Sequence, residues 1–531
     1  MRRRLLAVSA CVAASFAFTQ AQPSAPFDVL IQNGRVMDGS GNPWLRANVG
    51  IRGGRIAAIG ALANARAARV IDAADRLVTP GFIDVHSHAA EGLTRAPLRQ
   101  AQPVIAQGVT TVVVNPDGGG PLDLAGQRAA LEKVGIGPNV ALLIGHASVR
   151  RAVIGGGNRQ PTAAELEKMR DLVRQGMADG AFGLSSGLFY TPGSYSKTEE
   201  VIELTRAAAE RGGLYTSHIR DEGNYNIGVI AAVQEVIRIA EEAKTIGVVS
   251  HVKALGPDNW GLANAITQRI DVARARGVQV FTDQYAYEAS STSLRAALLP
   301  DGVEAPAVEH LLKPDAMTAE QKVVFQKAVE IGTENLRRRG GPASVLIASY
   351  RADSSLEGKT LEQIADARKQ PPVRVALEMI ARGAPSIVSF NMWDADIVHL
   401  MRQPYTMTSS DGGLGLPTEG KPHPRNYGAF ARKLALYVRE RGAVSLEHAI
   451  RSMTSLPASV FGMYDRGVLR EGAAADVLVF DPAKVVEKST YVDPHHHAEG
   501  MSYVLVNGVI VVDNGKFTDK LPGKVLRKTD Y

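Results

Sequence analysis

Two histidines spaced by one residue close an apolar run in Gly81-Phe-Ile-Asp-Val-His86-Ser-His88. On a strand, residues two apart point to the same side, so both imidazoles reach toward one point. Two further apolar runs, Leu214-Tyr-Thr-Ser-His218 and Val248-Val-Ser-His251, each end on a histidine that follows a serine. Thr406-Met-Thr-Ser-Ser-Asp411 ends another run with a carboxylate, and Val112-Val-Val-Asn-Pro-Asp117 does the same ahead of three glycines. Neutral imidazole and carboxylate are good ligands for zinc. Taken alone, a His-x-His pair is more often a surface or core feature, and Asn-Pro-Asp-Gly suits a plain turn equally well. Taken together, the four histidines and Asp411 on strand ends are hard to explain as packing, because burying such groups unpaired costs on the order of a few kcal/mol each. A shared cation removes that cost.

Strand ends carry chemistry only if an architecture brings them to one face, and the middle of the chain has the matching rhythm. Thr162-Ala-Ala-Glu165 is a capping box that predicts a helix with Leu166, Met169, Leu172, Val173 and Met177 on one face. Ser196-Lys-Thr-Glu199 predicts a second such cap, for a helix that stops at Gly212-Gly213. Strand-like segments are predicted over 181–185, 214–217, 247–250 and 278–282, with helices over 227–244 and up to Gly277 between them. More than six helix–strand units over 83–460 predict an α/β fold, a (β/α)8 TIM barrel, whose functional side chains stand at the C-terminal ends of the strands. No Gly-x-Gly-x-x-Gly follows a first strand, which argues against a dinucleotide fold. The polar stretch 301–340 breaks the rhythm and predicts a helical insertion or lid, spanning about 296–345 of a barrel running over 81–462. The short apolar strokes of 27–80 and of 463–527, separated by turn residues, predict a small β-sandwich domain formed by both chain ends.

Composition narrows the function further. The 531 residues include one cysteine, Cys11, which excludes a disulfide framework, a thiolate zinc cluster and an iron–sulfur site. The formal charge of +6 invites a nucleic-acid reading. However, residues 1–21, MRRRLLAVSACVAASFAFTQA, read as a secretory signal peptide, and removing its three arginines halves the excess. Val8-Ser9-Ala10-Cys11 also matches a lipoprotein cleavage pattern, but the apolar run continues past the cysteine. A periplasmic or secreted protein without nucleic-acid partner is expected. No other apolar run is long enough to span a bilayer. The basic tail from Lys520 to Lys528 reads as a solvated face, and His495-His496-His497 as a solvated loop rather than a metal site.

The chain resembles the N-acyl-D-amino-acid deacylase (D-aminoacylase) family of the amidohydrolase superfamily. The matching stretches are TPGFIDVHSH, GVTTVVVNPDG, GLSSGLFYTPGSY, YTSHIRDEG, SHVKALGPDNWG, DQYAYEASST, SSDGG, HPRNYGAFARKLALYVRE, MTSLPA and RGVLREGAAADVLVFD, in order over about residues 28–527. The resemblance implies that His86, His88, His218, His251 and Asp411 occupy metal and catalytic positions. The family's tight zinc site usually includes a cysteine after the Val-rich strand, and here that position is Asp117. Exchanging a soft thiolate for a hard carboxylate lowers the preference for zinc and admits Mn2+ or Co2+, with one or two ions held. The resemblance further implies a metal-activated water, with Asp411 as general base and then general acid, cleaving the amide of a small-molecule N-acyl-D-amino acid.

Such a substrate carries a free carboxylate that needs a cation and hydroxyl donors. Lys253, Tyr285, Tyr287, Ser291 and Arg425 follow the relevant strands, and the positions matching Lys253, Tyr285, Ser291 and Arg425 clasp that carboxylate in the family. Each also has a plainer role open to it: a surface lysine, core tyrosines, an ion pair at a helix start. The family's tyrosines flank a proline, which is Ala286 here. Arg150 matches a family motif without an assigned role. A cyclic-amide hydrolase or a dipeptidase acting at a D-residue would keep the ligand set and alter the clamp. The absence of a strand-end lysine suited to carboxylation speaks against the former. A metal- or solute-binding protein without catalysis is the alternative outside enzymes, and it has no need of Asp411.

Overall fold

Eight short parallel strands make the wall that carries the candidate residues: Phe82–Asp84, Val109–Val114, Asn139–Leu142 continued by Ile144–Gly145, Gly183–Gly187, Leu214–His218, Gly247–Val249, Val280–Gln284 and Thr406–Thr408. The computed structural model describes residues 26–62, 64–299, 310–311 and 313–531; the expected signal peptide and part of the polar 301–340 stretch lie outside them. Neighbouring strands pair in parallel from Ile83↔Thr111 through Thr216↔Val248 to Thr282↔Thr406. The ring closes where Gly412 pairs with Ser87 and the Asp411 N–H donates to His86 O at 2.9 Å. This is the TIM barrel, and its helices turn an apolar stripe inward. Val229–Ala243, for example, buries Val229, Ala232, Val233, Val236, Ile237 and Ala240.

Local signals hold in part. Thr162 caps Ala163–Ala178 with both bonds of the capping box in place. Ser196 does not cap its helix: its hydroxyl donates to Gly193 O at 2.6 Å, and the helix Thr198–Ala209 starts one residue late, after Lys197. That bond turns the Ser196 side chain back toward the preceding turn and away from the helix N-terminus.

The interruption between the seventh and eighth strands is longer than the polar stretch that signals it. Ala289–Ser293, Val345–Ser349 and Ser386–Phe390 form an antiparallel sheet, covered by the helices Ala319–Arg338, Leu361–Arg368 and Pro372–Ala381. Leu294, Ala328, Leu336, Ile347, Val375 and Ile387 give this subdomain an apolar core of its own. Its first strand, Ala-Ser-Ser-Thr-Ser, lacks the apolar alternation by which strands are read from sequence.

Both chain ends join in one nine-stranded sheet. Strand alternation divides its labour: Val477, Val479 and Leu505 face the sheet's own core with Val29, Ile31 and Val49, whereas Leu478, Phe480, Val504 and Val506 face the barrel. The basic tail is not wholly a solvated face. Val525–Leu526 adds to the barrel strand Asn139–Leu142, and Lys528 Nζ donates to Phe461 O at 3.1 Å. His495 lies outside the metal-ligating clusters and is held by Tyr427 Oη and Gly420 O.

Candidate metal centre and active site

The C-terminal strand ends converge as the barrel requires. His86 Nε2 lies 3.4 Å from Asp117 Oδ1 and 3.7 Å from Asp411 Oδ1. His88 Nε2 lies 3.4 Å from Asp117 Oδ2 and 3.1 Å from Asp411 Oδ1. The second group, His218, Glu222 and His251, adjoins the first, because His251 Nε2 is 3.7 Å from Asp117 Oδ1. Asp117 therefore stands between the two groups, where a carboxylate can serve a cation on either side.

Backbone conformation aims these side chains. Asp117, His251 and Asp411 have φ of 57°, 36° and 49°, in the left-handed region that non-glycine residues rarely occupy. Such turns persist only when their surroundings pin them. Asp84 accepts from the Ser410 N–H at 2.9 Å and the Ser410 hydroxyl at 2.5 Å, bracing the turn before Asp411. Asp283 accepts from the His251 N–H at 2.8 Å and from the Ser409 hydroxyl at 2.6 Å. His218 Nδ1 faces Ile219 O at 3.1 Å, and an Nδ1–H donated there leaves Nε2 with its lone pair.

A divalent cation fits this donor set. His86 Nε2 and Asp117 Oδ1 are both buried without a hydrogen-bond partner, and they face one another. Buried polar atoms are otherwise satisfied nearly everywhere in proteins, so a facing nitrogen and oxygen left over mark a place for an ion. The electrostatics agree. Burial works to raise Asp117, yet His86, His251 and His88 hold its carboxyl well below the usual range. Burial likewise opposes charge on Asp411, and Arg425 and His251 overcome it. Both aspartates are carboxylates, ready to ligate.

The clusters open into a cavity of about 290 Å³ lined by Lys253, Tyr285, Ser291 and Arg425, among others. Arg425 Nη1 pairs with Asp411 Oδ2 at 2.8 Å, and its guanidinium lies 4.8 Å from the centre of the Tyr285 ring. Lys253 is buried against Glu222, with its Nζ 2.7 Å from His251 Nδ1. The fifth expected contact does not reach the cavity. Tyr287 turns its hydroxyl to Glu487 and packs on Arg432 and His423. The strand stops at Gln284, so the two-residue alternation that relates positions 285 and 287 on a strand no longer applies. Arg150 is buried in a bond with Glu200, which also accepts from His146 at 2.9 Å, and lies outside the cavity lining.

Sequence reasoning missed Glu222, Asp84, Asp283 and Tyr190. Glu222 carried a readable signal, since it stands four residues after His218. Asp84 is the last residue of the strand Phe82–Asp84, two positions before His86. Tyr190 lies in a loop without periodicity, and its ring is 4.7 Å from that of His218.

The Amidohydrolase family matches this chain over residues 69–512. A D-aminoacylase of Alcaligenes xylosoxydans xylosoxydans is 35% identical, the alignment covering 95% of this chain and 99% of that one. An N-acyl-D-glutamate deacylase of Bordetella bronchiseptica, solved with zinc and a phosphonate mimic of the tetrahedral intermediate, superposes with a TM-score of 0.79 at 35% identity, covering 95% of this chain and all of that one. A D-aminoacylase structure described for its binuclear metal centre gives a TM-score of 0.80 at 34% identity, covering 94% of this chain and all of its own. The chain belongs to the amidohydrolase family, in the branch of D-aminoacylases and N-acyl-D-amino-acid deacylases.

Proposed function

We propose that this chain hydrolyses the amide bond of N-acyl-D-amino acids, using one or two divalent cations held by His86, His88, Asp117, His218, His251 and Asp411. The observation that carries this reading is the facing pair of unsatisfied atoms, His86 Nε2 and Asp117 Oδ1, at the centre of six convergent ligands beside a cationic pocket. Zinc is the ion favoured by four imidazoles, while Asp117 in place of a thiolate admits Mn2+ or Co2+. A cation bound there supplies the positive charge that acidifies a water and polarises the amide carbonyl.

The protein's own groups do the rest. Arg425 and Lys253 bind the substrate α-carboxylate, with the Tyr285 and Ser291 hydroxyls completing the donors. Asp411, kept ionised by Arg425, accepts the proton of the attacking water and returns it to the departing amine. The aromatic wall of Phe189, Tyr190 and Tyr225 limits bulk water around the reacting amide. The Arg-led apolar segment 1–21 supports export to the periplasm or beyond.

The test is a panel of N-acetyl-D- and N-acetyl-L-amino acids offered to purified protein, with chelator and with added metal. Amine release from D-substrates that stops with chelator is the expected result. Absence of release from every N-acyl amino acid, with metal bound, overturns the reading.

A further inference from the structure

Among the described residues one lysine and two arginines line the cavity, and two of these three already face carboxylates. Lys253 is paired with Glu222 and Arg425 with Asp411. The third, Arg339, is 2% exposed and has no carboxylate within 4.0 Å among the described residues. Its acceptors are neutral. Nε donates to Ala297 O at 3.4 Å and Nη1 to Ser389 Oγ at 3.3 Å. With the Asn391 amide turned to satisfy Ser290 and Ser389, Asn391 Oδ1 accepts from Nη1 at 3.3 Å as well. Nη2 makes no hydrogen bond among the described residues, and the guanidinium carbon stands 5.7 Å from the centre of the Tyr225 ring.

That arrangement is unusual for a buried guanidinium. Arg150 and Arg466, the other deeply buried arginines outside the cavity, each face a carboxylate. A buried charge without a counter-charge is costly. Arg339 follows the helix Ala319–Arg338, whose carbonyl end gives only a partial negative charge. A planar guanidinium with unused N–H groups at a cavity wall matches a second carboxylate in the ligand.

We propose that Arg339 selects substrates with a second carboxylate besides the α-carboxylate. It stands on the side-chain or acyl group of an N-acyl-D-amino acid. This rests on the deacylase reading above and narrows its substrate class. The α-carboxylate is met by Lys253 and Arg425 on the barrel, and the second anion by Arg339, delivered by the inserted subdomain. Acidic side chains (N-acetyl-D-glutamate, N-acetyl-D-aspartate) and an acidic acyl group (N-succinyl-D-leucine) offer the same chemistry from two sources.

The experiment compares kcat/KM of metal-loaded wild type, Arg339→Gln and Arg339→Lys on these three substrates and on N-acetyl-D-leucine. Wild type is expected to favour at least one dicarboxylate, and which one identifies the source. Arg339→Gln is expected to lose roughly 10- to 100-fold on that substrate, the worth of a charged hydrogen bond. It should stay within about threefold on N-acetyl-D-leucine, while Arg339→Lys recovers part of the loss. Faster turnover of N-acetyl-D-leucine by wild type, or equal losses on both substrate types, overturns the proposal and leaves deacylation standing. If no substrate turns over, the deacylase reading fails instead. Calorimetric binding of N-acetyl-D-glutamate against N-acetyl-D-leucine then decides Arg339 alone, with equal affinities in wild type and Arg339→Gln counting against it.

Discussion

Two buried polar clusters sit at opposite ends of the barrel, built from similar residue types and finished in different ways. At the N-terminal end, Asp476 faces Arg466 and accepts from Asn139 Nδ2 at 3.1 Å and the Asn507 N–H at 2.7 Å. Asn507 in turn donates to Asn139 Oδ1 at 2.8 Å and accepts from Arg466 at 3.1 Å. These bonds lock the two-ended sheet onto the first residue of the strand Asn139–Leu142 and leave no atom of the cluster unpartnered. At the C-terminal end, the Asp117 cluster leaves His86 Nε2 and Asp117 Oδ1 open, on turns held in the left-handed region. A closed network stabilises; an open one binds. This is the division of labour between the two faces of a TIM barrel, visible here at the level of single atoms.

The comparison breaks most readily at its catalytic end. Asp411→Asn is expected to lower kcat by about 10²- to 10⁴-fold, the usual contribution of a general base, while metal analysis shows the ions largely retained. Unchanged turnover rejects the assignment. At the structural end, Asp476→Ala removes the nearer and more buried of the two carboxylates facing Arg466, leaving Asp465 at 3.6 Å. It is expected to cost about 3–5 kcal/mol in denaturant unfolding, with turnover per folded molecule unchanged below the transition. A large drop in kcat without loss of stability would erase the distinction between the two faces.

A smaller effect comes from Lys433, buried between Thr408 and Ser452, whose hydroxyls accept from Nζ at 2.8 Å each. Burial pushes its amine down to about 7. Above about pH 11 the amine is neutral folded or unfolded. As the pH falls from there toward 7, the unfolded chain takes up a proton that the folded one does not, so stability declines and then levels off. Lys433→Met is therefore expected to raise stability at neutral pH by about 1–3 kcal/mol, a gain that shrinks toward pH 10. Chemical unfolding at several pH values measures it.

Much of this was legible in the residues. His86, His88, His218, His251 and Asp411 announce themselves because each ends an apolar strand, and a barrel gathers strand ends. Asp117 was legible as a ligand only through its place after the Val-rich strand, since Asn-Pro-Asp-Gly reads as well as a turn. Tyr287 was grouped with the substrate contacts because it follows the same strand as Tyr285, and nothing local in the sequence signals that its hydroxyl turns to Glu487, 200 positions further on. Arg339 was invisible. It stands 86 positions after Lys253, and only the packing of the inserted subdomain against the barrel mouth brings both to one cavity. The subdomain itself was half hidden, because serine-rich strands such as Ala289–Ser293 owe their pairing to tertiary context rather than to pattern.

The central claim is that the open cluster is a metal-dependent deacylation site. Metal-free protein titrated with zinc, while release of amino acid from N-acetyl-D-amino acids is followed, addresses it directly. The account predicts no turnover without metal and recovery that saturates at one or two ions per chain. Full turnover in the metal-free protein, or zinc uptake that brings no turnover of any N-acyl-D-amino acid, would contradict it.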